Sequence, residues 1–342
     1  MAVTIDSSVQ KLDQIWYTRC PVPTASGLAL NLGWLSDEFA PDGIAVSVLQ
    51  DAPEQFRRHH LDHELEGLVR EGGNIPALNA RAAGAPSRLI GLTWIEEWQS
   101  IVVRPDSAIT SPEHLLGARV AIPAWKKERG SSIWRGMAIA GFTGALRSVG
   151  LSLADVALVE VEDQDDGRLP PFGALLRGEV DAVYAKGAFA AEQSAAAGLI
   201  VGIDLDALDD RRFRVNNGTP RPLTVHQGLL DEHPEVVVRF LVQTLRAAEW
   251  AALNLDGVHR ILEKETGSGA NGVSVAYRND FHLSLHPTLS EDRLGYLDQQ
   301  KALLWSHGFL ARDFDLDAWM APEPLLEAQR IVDGSREVHH AG

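Results

Sequence analysis

The sequence predicts an α/β chain of two lobes, the second inserted into the first, with a ligand cleft between them. Three observations carry that expectation. At 342 residues the chain is too long for one ordinary small domain and comfortable for two. Short apolar runs of strand character alternate with segments of helical periodicity as far as Ile203, the pattern that builds α/β architecture around parallel sheets. From Pro234 onward the apolar spacing is mainly helical. The lobes are expected to comprise residues 1–104 with 222–342, and 105–221, with crossings near 103–107 and 204–224.

Residues 14–19 have strand character and end at Cys20-Pro21-Val22-Pro23, a proline-locked loop that cannot continue a ladder. Thr24 or Ser26 is placed to cap a helix whose apolar positions Leu28, Leu32 and Leu35 recur at helical spacing, stopping before Pro41-Asp42-Gly43. Residues 44–49 form the next strand. A helix is expected to start near Gly72-Gly73-Asn74-Ile75-Pro76, since proline suits a first turn, and 89–93 reads as strand. Strands at 101–104 and 120–123 flank a short helix opened by Ser111-Pro112 and ended by Gly117. A helix follows Ser131 to about Val149, then a strand at 157–161, a helix at 171–177, and strands at 180–184 and 198–203. Val236, Val237, Phe240, Leu241, Leu245 and Ala248 make one helical stripe, and 293–306 is similar. There is no internal repeat.

Composition narrows the function classes. Lys and Arg total 31 against 47 Asp and Glu, a formal net charge of −16, which argues against an electrostatic grip on nucleic acid or on an anionic membrane. No apolar run approaches the roughly 18 residues of a membrane span. The opening Met1-Ala2-Val3-Thr4-Ile5-Asp6-Ser7-Ser8 has no basic start and no apolar stretch, unlike a secretory signal, so a cytoplasmic location is expected. One cysteine, Cys20, excludes a disulfide framework and a cysteine-built zinc or iron–sulfur centre. The acidic surface gives no partner signal, and a monomer is expected.

Several stock motifs fail. Gly267-Ser268-Gly269-Ala270-Asn271-Gly272 fits G-x-G-x-x-G but follows a helix where the dinucleotide reading needs a strand, so it is a loop. His59, His60 and His63 gather without the H-E-x-x-H pattern, and Asp62, Glu64 and Glu66 make a solvated charged face the simpler reading, so no metal site is expected. Asn217-Gly218-Thr219 spells a glycosylation sequon that means nothing in a cytoplasmic chain. The run Glu160-Val161-Glu162-Asp163-Gln164-Asp165-Asp166 is most simply a solvated turn.

Two constellations stand out. A lone cysteine is as often a small buried hydrophobe as a reactive thiol. Cys20, however, sits where a strand ends, in a rigid loop directly before a helix N-terminus, a place that faces a cleft. In Arg70-Glu71-Gly72-Gly73-Asn74, glycines that open a helix let a ligand approach free backbone amides, and Arg70 adds a forked contact for a two-oxygen anion. The plain alternative is a glycine-rich turn with a surface arginine.

These residues carry a resemblance. Tyr17-Thr18-Arg19-Cys20-Pro21-Val22-Pro23 is similar to the active-site cysteine segment of the 2′-hydroxybiphenyl-2-sulfinate desulfinase family, which performs the last step of dibenzothiophene desulfurisation. The similarity runs through Gly33-Trp34-Leu35, Asp42-Gly43-Ile44, and Arg70 with Gly72-Gly73-Asn74-Ile75-Pro76. It continues in Val103-Arg104-Pro105-Asp106-Ser107-Ala108-Ile109-Thr110, Gly178-Glu179-Val180-Asp181-Ala182-Val183-Tyr184 and Leu316-Asp317-Ala318-Trp319-Met320-Ala321-Pro322-Glu323, covering about residues 15–326. The middle stretches also resemble ones found throughout the wider superfamily of periplasmic-type binding proteins for sulfonates, nitrate and thiamine precursors. They imply the two-lobe periplasmic-binding-protein-like (type II) fold and no chemistry. The cysteine loop and the Arg-x-Gly-Gly-x-Ile-Pro segment are the discriminating pair.

The resemblance implies an essential Cys20, a sulfinate held by Arg70 and the backbone amide of Gly73, and assistance from His60, with His59 and His63 as competitors for that role. Trp134 corresponds to a pocket tryptophan able to stack on an aryl ring. Residues 61–69 depart from the family's aromatic and amide residues, which bears on the aryl group more than on the reaction. The expected activity is a cofactor-independent desulfinase, a hydrolase acting on a carbon–sulfur bond: a small aromatic sulfinate plus water gives the arene and sulfite, with neither metal nor organic cofactor. Cys20 either delivers a proton to the ring carbon or attacks the sulfur as a thiolate. The rival reading is a non-catalytic solute-binding protein for an aryl sulfonate, sulfinate or similar organic anion, which the fold favours and the lack of a signal segment disfavours. A relative that cleaves another C–S or C–C bond, such as an aromatic carboxylate lyase, is a third.

Overall fold

The computed structural model describes residues 11–162, 170–278 and 280–340. The opening segment weighed for a secretory signal, and residues 163–166 of the acidic run, lie outside the described residues. In chain order the strands are β1 (Gln14–Thr18), β2 (Ala45–Val48), β3 (Leu68–Glu71), β4 (Ser87–Thr93), β5 (Gln99–Val103), β6 (Arg119–Pro123), β7 (Ala157–Val161), β8 (Val183–Lys186), β9 (Ile200–Asp204) and β10 (Arg221–His226). The helices are α1 (Ala25–Asn31), α2 (Trp34–Phe39), α3 (Glu54–Arg57), α4 (His59–Asp62), α5 (Asn74–Ala83), α6 (Ile133–Arg147) and α7 (Phe172–Leu176). They continue with α8 (Ala188–Ala196), α9 (Gln227–Glu232), α10 (Pro234–Leu253), α11 (Leu255–Thr266), α12 (Ala270–Ala276), α13 (Glu291–Ser306) and α14 (Glu323–His340).

One sheet has the order β2-β1-β3-β10-β4. Within it β1 runs parallel to β2 and β3, with Thr18 opposite Arg70. β10 is antiparallel to both of its neighbours and sets Thr224 on the other side of Arg70. A second sheet, β8-β5-β9, is antiparallel throughout, and β6 and β7 form a parallel pair. Ala121 N–H donates to Ala182 O at 3.0 Å and ties that pair to the approach to β8.

The α/β expectation stands, whereas the expectation of parallel sheets needs correction. β5 and β10 run antiparallel to both of their neighbours, and apolar periodicity carries no information on strand direction. The chain passes from the first sheet to the second between Thr93 and Gln99, because β4 pairs with β10 and β5 with β8 and β9; every residue of β5 is buried, so its burial fits either sheet.

Thr24 caps α1, its hydroxyl accepting from Gly27 N at 3.1 Å. The expected single helix through Leu35 is two: Gly33 takes φ +81°, which ends α1 and opens α2. The stripe on α10 is buried as its spacing predicts, against Ile15, Tyr17 and Leu28. A second cluster gathers Ile101, Val120, Ile122 and Phe142. Neither cluster belongs to one sheet: the first includes Val102 and Val183, the second Ile75 and Leu89. No helix among the described residues is long and apolar enough to cross a membrane.

Candidate active site

Cys20 follows β1 in a chain of tight turns, with Val22 N donating to Cys20 O at 2.8 Å and Thr24 N to Val22 O at 2.7 Å. The loop is fastened from below. Glu71, fully buried in β3, accepts from Ser26 N at 3.1 Å, Ser26 Oγ at 2.6 Å and Thr93 Oγ1 at 2.9 Å, so one carboxylate ties the start of α1 to β3 and β4. Burial pushes the Glu71 pKa up against the pull of these donors. Tyr17 Oη lies 2.9 Å from Ser26 Oγ and adds a second tie. Arg19 points away from the thiol and meets Glu265 at 3.4 Å and Asp51 at 3.5 Å.

Arg70 is in a strand, not in the glycine turn, and its side chain is 1% exposed. The surface-arginine alternative is therefore excluded. Its Nη1 donates to Gly73 O at 3.1 Å, its Nε has no partner, and among the described residues no carboxylate pairs with it. Burial lowers its pKa to about 10; Arg221 pushes the same way and Cys20 opposes. A Cβ on Gly72 would stand 2.6 Å from Arg70 Cζ, so only glycine lets the guanidinium fold over this backbone. At the mouth of α5, Gly72 N donates to Pro222 O, Asn74 N to Asn217 O and Ile75 N to Asn217 Oδ1. The Gly73 N–H alone among these has no partner in the described residues.

The three histidines separate. His59 Nδ1 lies 2.7 Å from Asp62 Oδ1. His63 is buried at φ +57° with neither ring nitrogen bonded. His60 alone reaches β1, its Nδ1 being 2.7 Å from Thr18 Oγ1, two residues before Cys20. Burial first, then the Arg70 charge, pulls its pKa down to about 3, so it stands as a neutral imidazole. Among the described residues no group of three or more His, Cys, Asp or Glu is arranged to hold a metal ion.

Cys20 and Trp134 both line a cavity of about 380 Å³. Its walls are largely apolar, with Val22, Ile133, Met137 and Phe189, and its polar end carries Cys20, Asn217, Arg221, Glu97 and Lys186. Arg70, Gly73 and His60 are not among the residues that line it. Gly73 adjoins it through Asn217, whose amide would be 2.4 Å from a Cβ at Gly73. Arg221 Nη1 donates to Cys20 Sγ at 3.0 Å. Its Nη2 is 3.8 Å from Glu97 Oε2, which forms a 2.6 Å ion pair with Lys186 Nζ, close but angled away from hydrogen-bond geometry. Tyr277 Oη donates to Glu97 Oε1 at 3.0 Å. Burial opposes the Arg221 charge, but Cys20, Glu97, Glu71 and Tyr277 outweigh it and raise its pKa.

Arg221, Glu97, Lys186 and Asn217 escape the sequence reading. Asn217-Gly218-Thr219 signals only a turn, and Glu97, Lys186 and Arg221 stand in unrelated segments with no shared spacing.

The profile of the family described as NMT1/THI5 like matches residues 28–254. The chain is 28% identical to the 2′-hydroxybiphenyl-2-sulfinate desulfinase of Rhodococcus erythropolis, over 94% of each chain. It is similar to the crystal structure of a cysteine-to-serine mutant of DszB in complex with biphenyl-2-sulfinic acid, with a TM-score of 0.77 and 26% identity over 93% of this chain and 99% of that one. It also has the fold of the periplasmic aliphatic sulphonate binding protein SsuA from Escherichia coli, with a TM-score of 0.65 and 18% identity over 91% and 92% of the two chains.

Proposed function

Since this chain belongs to the NMT1/THI5-like family, and its similarity to a desulfinase spans nearly its whole length, we propose that it is an aromatic sulfinate desulfinase. One observation carries the reading: the only thiol faces an apolar-walled cavity, held by one guanidinium and in electrostatic reach of a second, which is buried with no carboxylate partner among the described residues. A buried charge without a partner is costly, and a sulfinate is an anion of the right geometry to relieve that cost.

In this reading Arg70 and the free Gly73 N–H hold the sulfinate oxygens, the Asn217 amide giving way to them, and the aryl group lies along Trp134 and Met137. The reaction is Ar–SO₂⁻ + H₂O → Ar–H + HSO₃⁻. Cys20 acts at the C–S bond by one of two balanced routes. As a thiol it gives its proton to the ring carbon; the C–S pair returns to the ring, SO₂ departs, and its hydration yields HSO₃⁻ and the proton that restores the thiol. As a thiolate it attacks sulfur and expels the aryl group, which takes a solvent proton; water then releases HSO₃⁻ and the thiol from the S–S adduct. His60 supports either route as a neutral imidazole that fixes Thr18 and the end of β1.

The test is sulfite release from a panel of aryl sulfinates that includes 2′-hydroxybiphenyl-2-sulfinate. We expect release from the native protein and a loss of at least about a thousandfold in Cys20→Ser, a barrier increase of roughly 4 kcal/mol. An adduct in the intact mass during turnover identifies the thiolate route. Tight sulfinate binding without sulfite would sink the enzyme reading in favour of the solute-binding one.

A further inference from the structure

We propose that Arg221, fixed by Glu97 and Lys186, is a positioning residue for Cys20, an inference that rests on the desulfinase reading of the same cavity. The three side chains are nearly closed to solvent, at 3%, 6% and 7% exposure for Arg221, Glu97 and Lys186. They come from three places. Arg221 is the first residue of β10, where the chain returns to the first sheet, Glu97 lies in the opposite crossing just before β5, and Lys186 ends β8. Cys20 ends β1. The trio therefore sits where both chain crossings meet, and it touches the thiol directly.

Charge counting separates a positioning role from a merely structural one. Glu97 already has Lys186 at 2.6 Å and the Tyr277 hydroxyl at 3.0 Å. A second cation is not needed to neutralise it, and burying one more charge is costly. Arg221 leaves the trio with a surplus positive charge, and the nitrogen that bears it on the cavity side donates to Sγ at 3.0 Å. The guanidinium fork makes this possible, because one nitrogen reaches the sulfur while the other leans on Glu97; a lysine ammonium has no such rigid fork. The backbone makes room for it, since a Cβ on Gly218 would stand 2.5 Å from Arg221 Nη2. Arg70 and Arg221 thus have different tasks: the first has a backbone carbonyl but no carboxylate partner among the described residues and awaits the oxyanion, while the second is already engaged with the sulfur.

The experiment pairs steady-state kinetics with the rate at which iodoacetamide alkylates Cys20, a readout that does not depend on turnover. Arg221→Lys keeps the charge and loses the fork. We expect kcat to fall about 30-fold with KM changed by less than about threefold, and alkylation at a fixed pH of about 7.5 to slow at least about fivefold. Glu97→Gln, which keeps Arg221 but loosens it, is expected to give a smaller effect of the same kind, roughly fivefold in kcat. Near-UV circular dichroism confirms that each variant is folded. An unchanged alkylation rate in folded Arg221→Lys overturns the proposal, as does a rise in KM at constant kcat, which would make Arg221 a substrate-binding residue. Absence of sulfite from the wild-type protein would end the desulfinase reading alone, because the alkylation rates still decide whether Arg221 positions the thiol.

Discussion

At the scale of single residues, the interior forces one arginine and one histidine of the proposed site into unusual states. Arg70 keeps its charge in a setting that lowers its pKa to about 10, and His60, close to it, is pulled down to about 3. Because the folded pKa of His60 lies below the unfolded value of about 6.5, the native state disfavours the protonated ring. Its contribution to stability is full above about pH 6.5 and is lost as pH falls through that window toward about 3. Between pH 7 and 5.5 this amounts to about 1 kcal/mol. We therefore expect His60→Gln to lose less stability than the wild type over that interval in urea titrations. Parallel pH dependences in the two proteins would show that His60 titrates normally.

At the scale of elements, the end of β1 and the start of α1 decide where the thiol stands. Thr24 serves twice, since its hydroxyl accepts from Gly27 N and lies 3.4 Å from the Tyr17 hydroxyl. Thr24→Ala is expected to cost about 1 kcal/mol of unfolding free energy, as lost helix caps do, and to reduce kcat for sulfite release several-fold because the loop before α1 loosens. A stability loss with unaltered kcat would separate the cap from the site. The longer helices, α8 excepted, and most strands are legible from apolar spacing, capping residues and proline, whereas the short α3, α4 and α9 are not. β3 is not, because Arg70 and Glu71 end a four-residue segment and read as polar, although both are buried in the sheet. β10 is missed for the same reason: Arg221, Pro222 and His226 disguise a strand that is buried along its length.

At the scale of the molecule, the apolar clusters run across both sheets and the cavity opens where the two crossings meet, so a bound anion bears on the stability of the whole chain. A sulfinate at about a hundred times its Kd should add roughly 2.7 kcal/mol to the native state. We expect an aryl sulfinate to raise the Tm of the wild type by several degrees and to leave Arg70→Gln unmoved. Equal shifts in the two proteins would place the anion away from Arg70. Cys20→Ser provides the companion measurement, since it retains the oxyanion donors and allows binding without turnover.

The sequence alone determined the alternation of elements, the start of α1, the two-lobe class and the two short segments around Cys20 and Arg70, because each is written in local spacing or in a contiguous motif. It also separated the cysteine loop from the stretches that carry fold alone. Tertiary structure decided the rest. Strand direction and sheet membership follow from how distant segments pair, and no local period encodes them. Which of the three histidines meets the end of β1 is set by tertiary contact, the His60 ring reaching Thr18 across 42 residues of chain. The Glu97–Lys186–Arg221 group exists only once three remote segments converge at the crossings, because burial and proximity, not spacing, turn ordinary surface-type charges into a site.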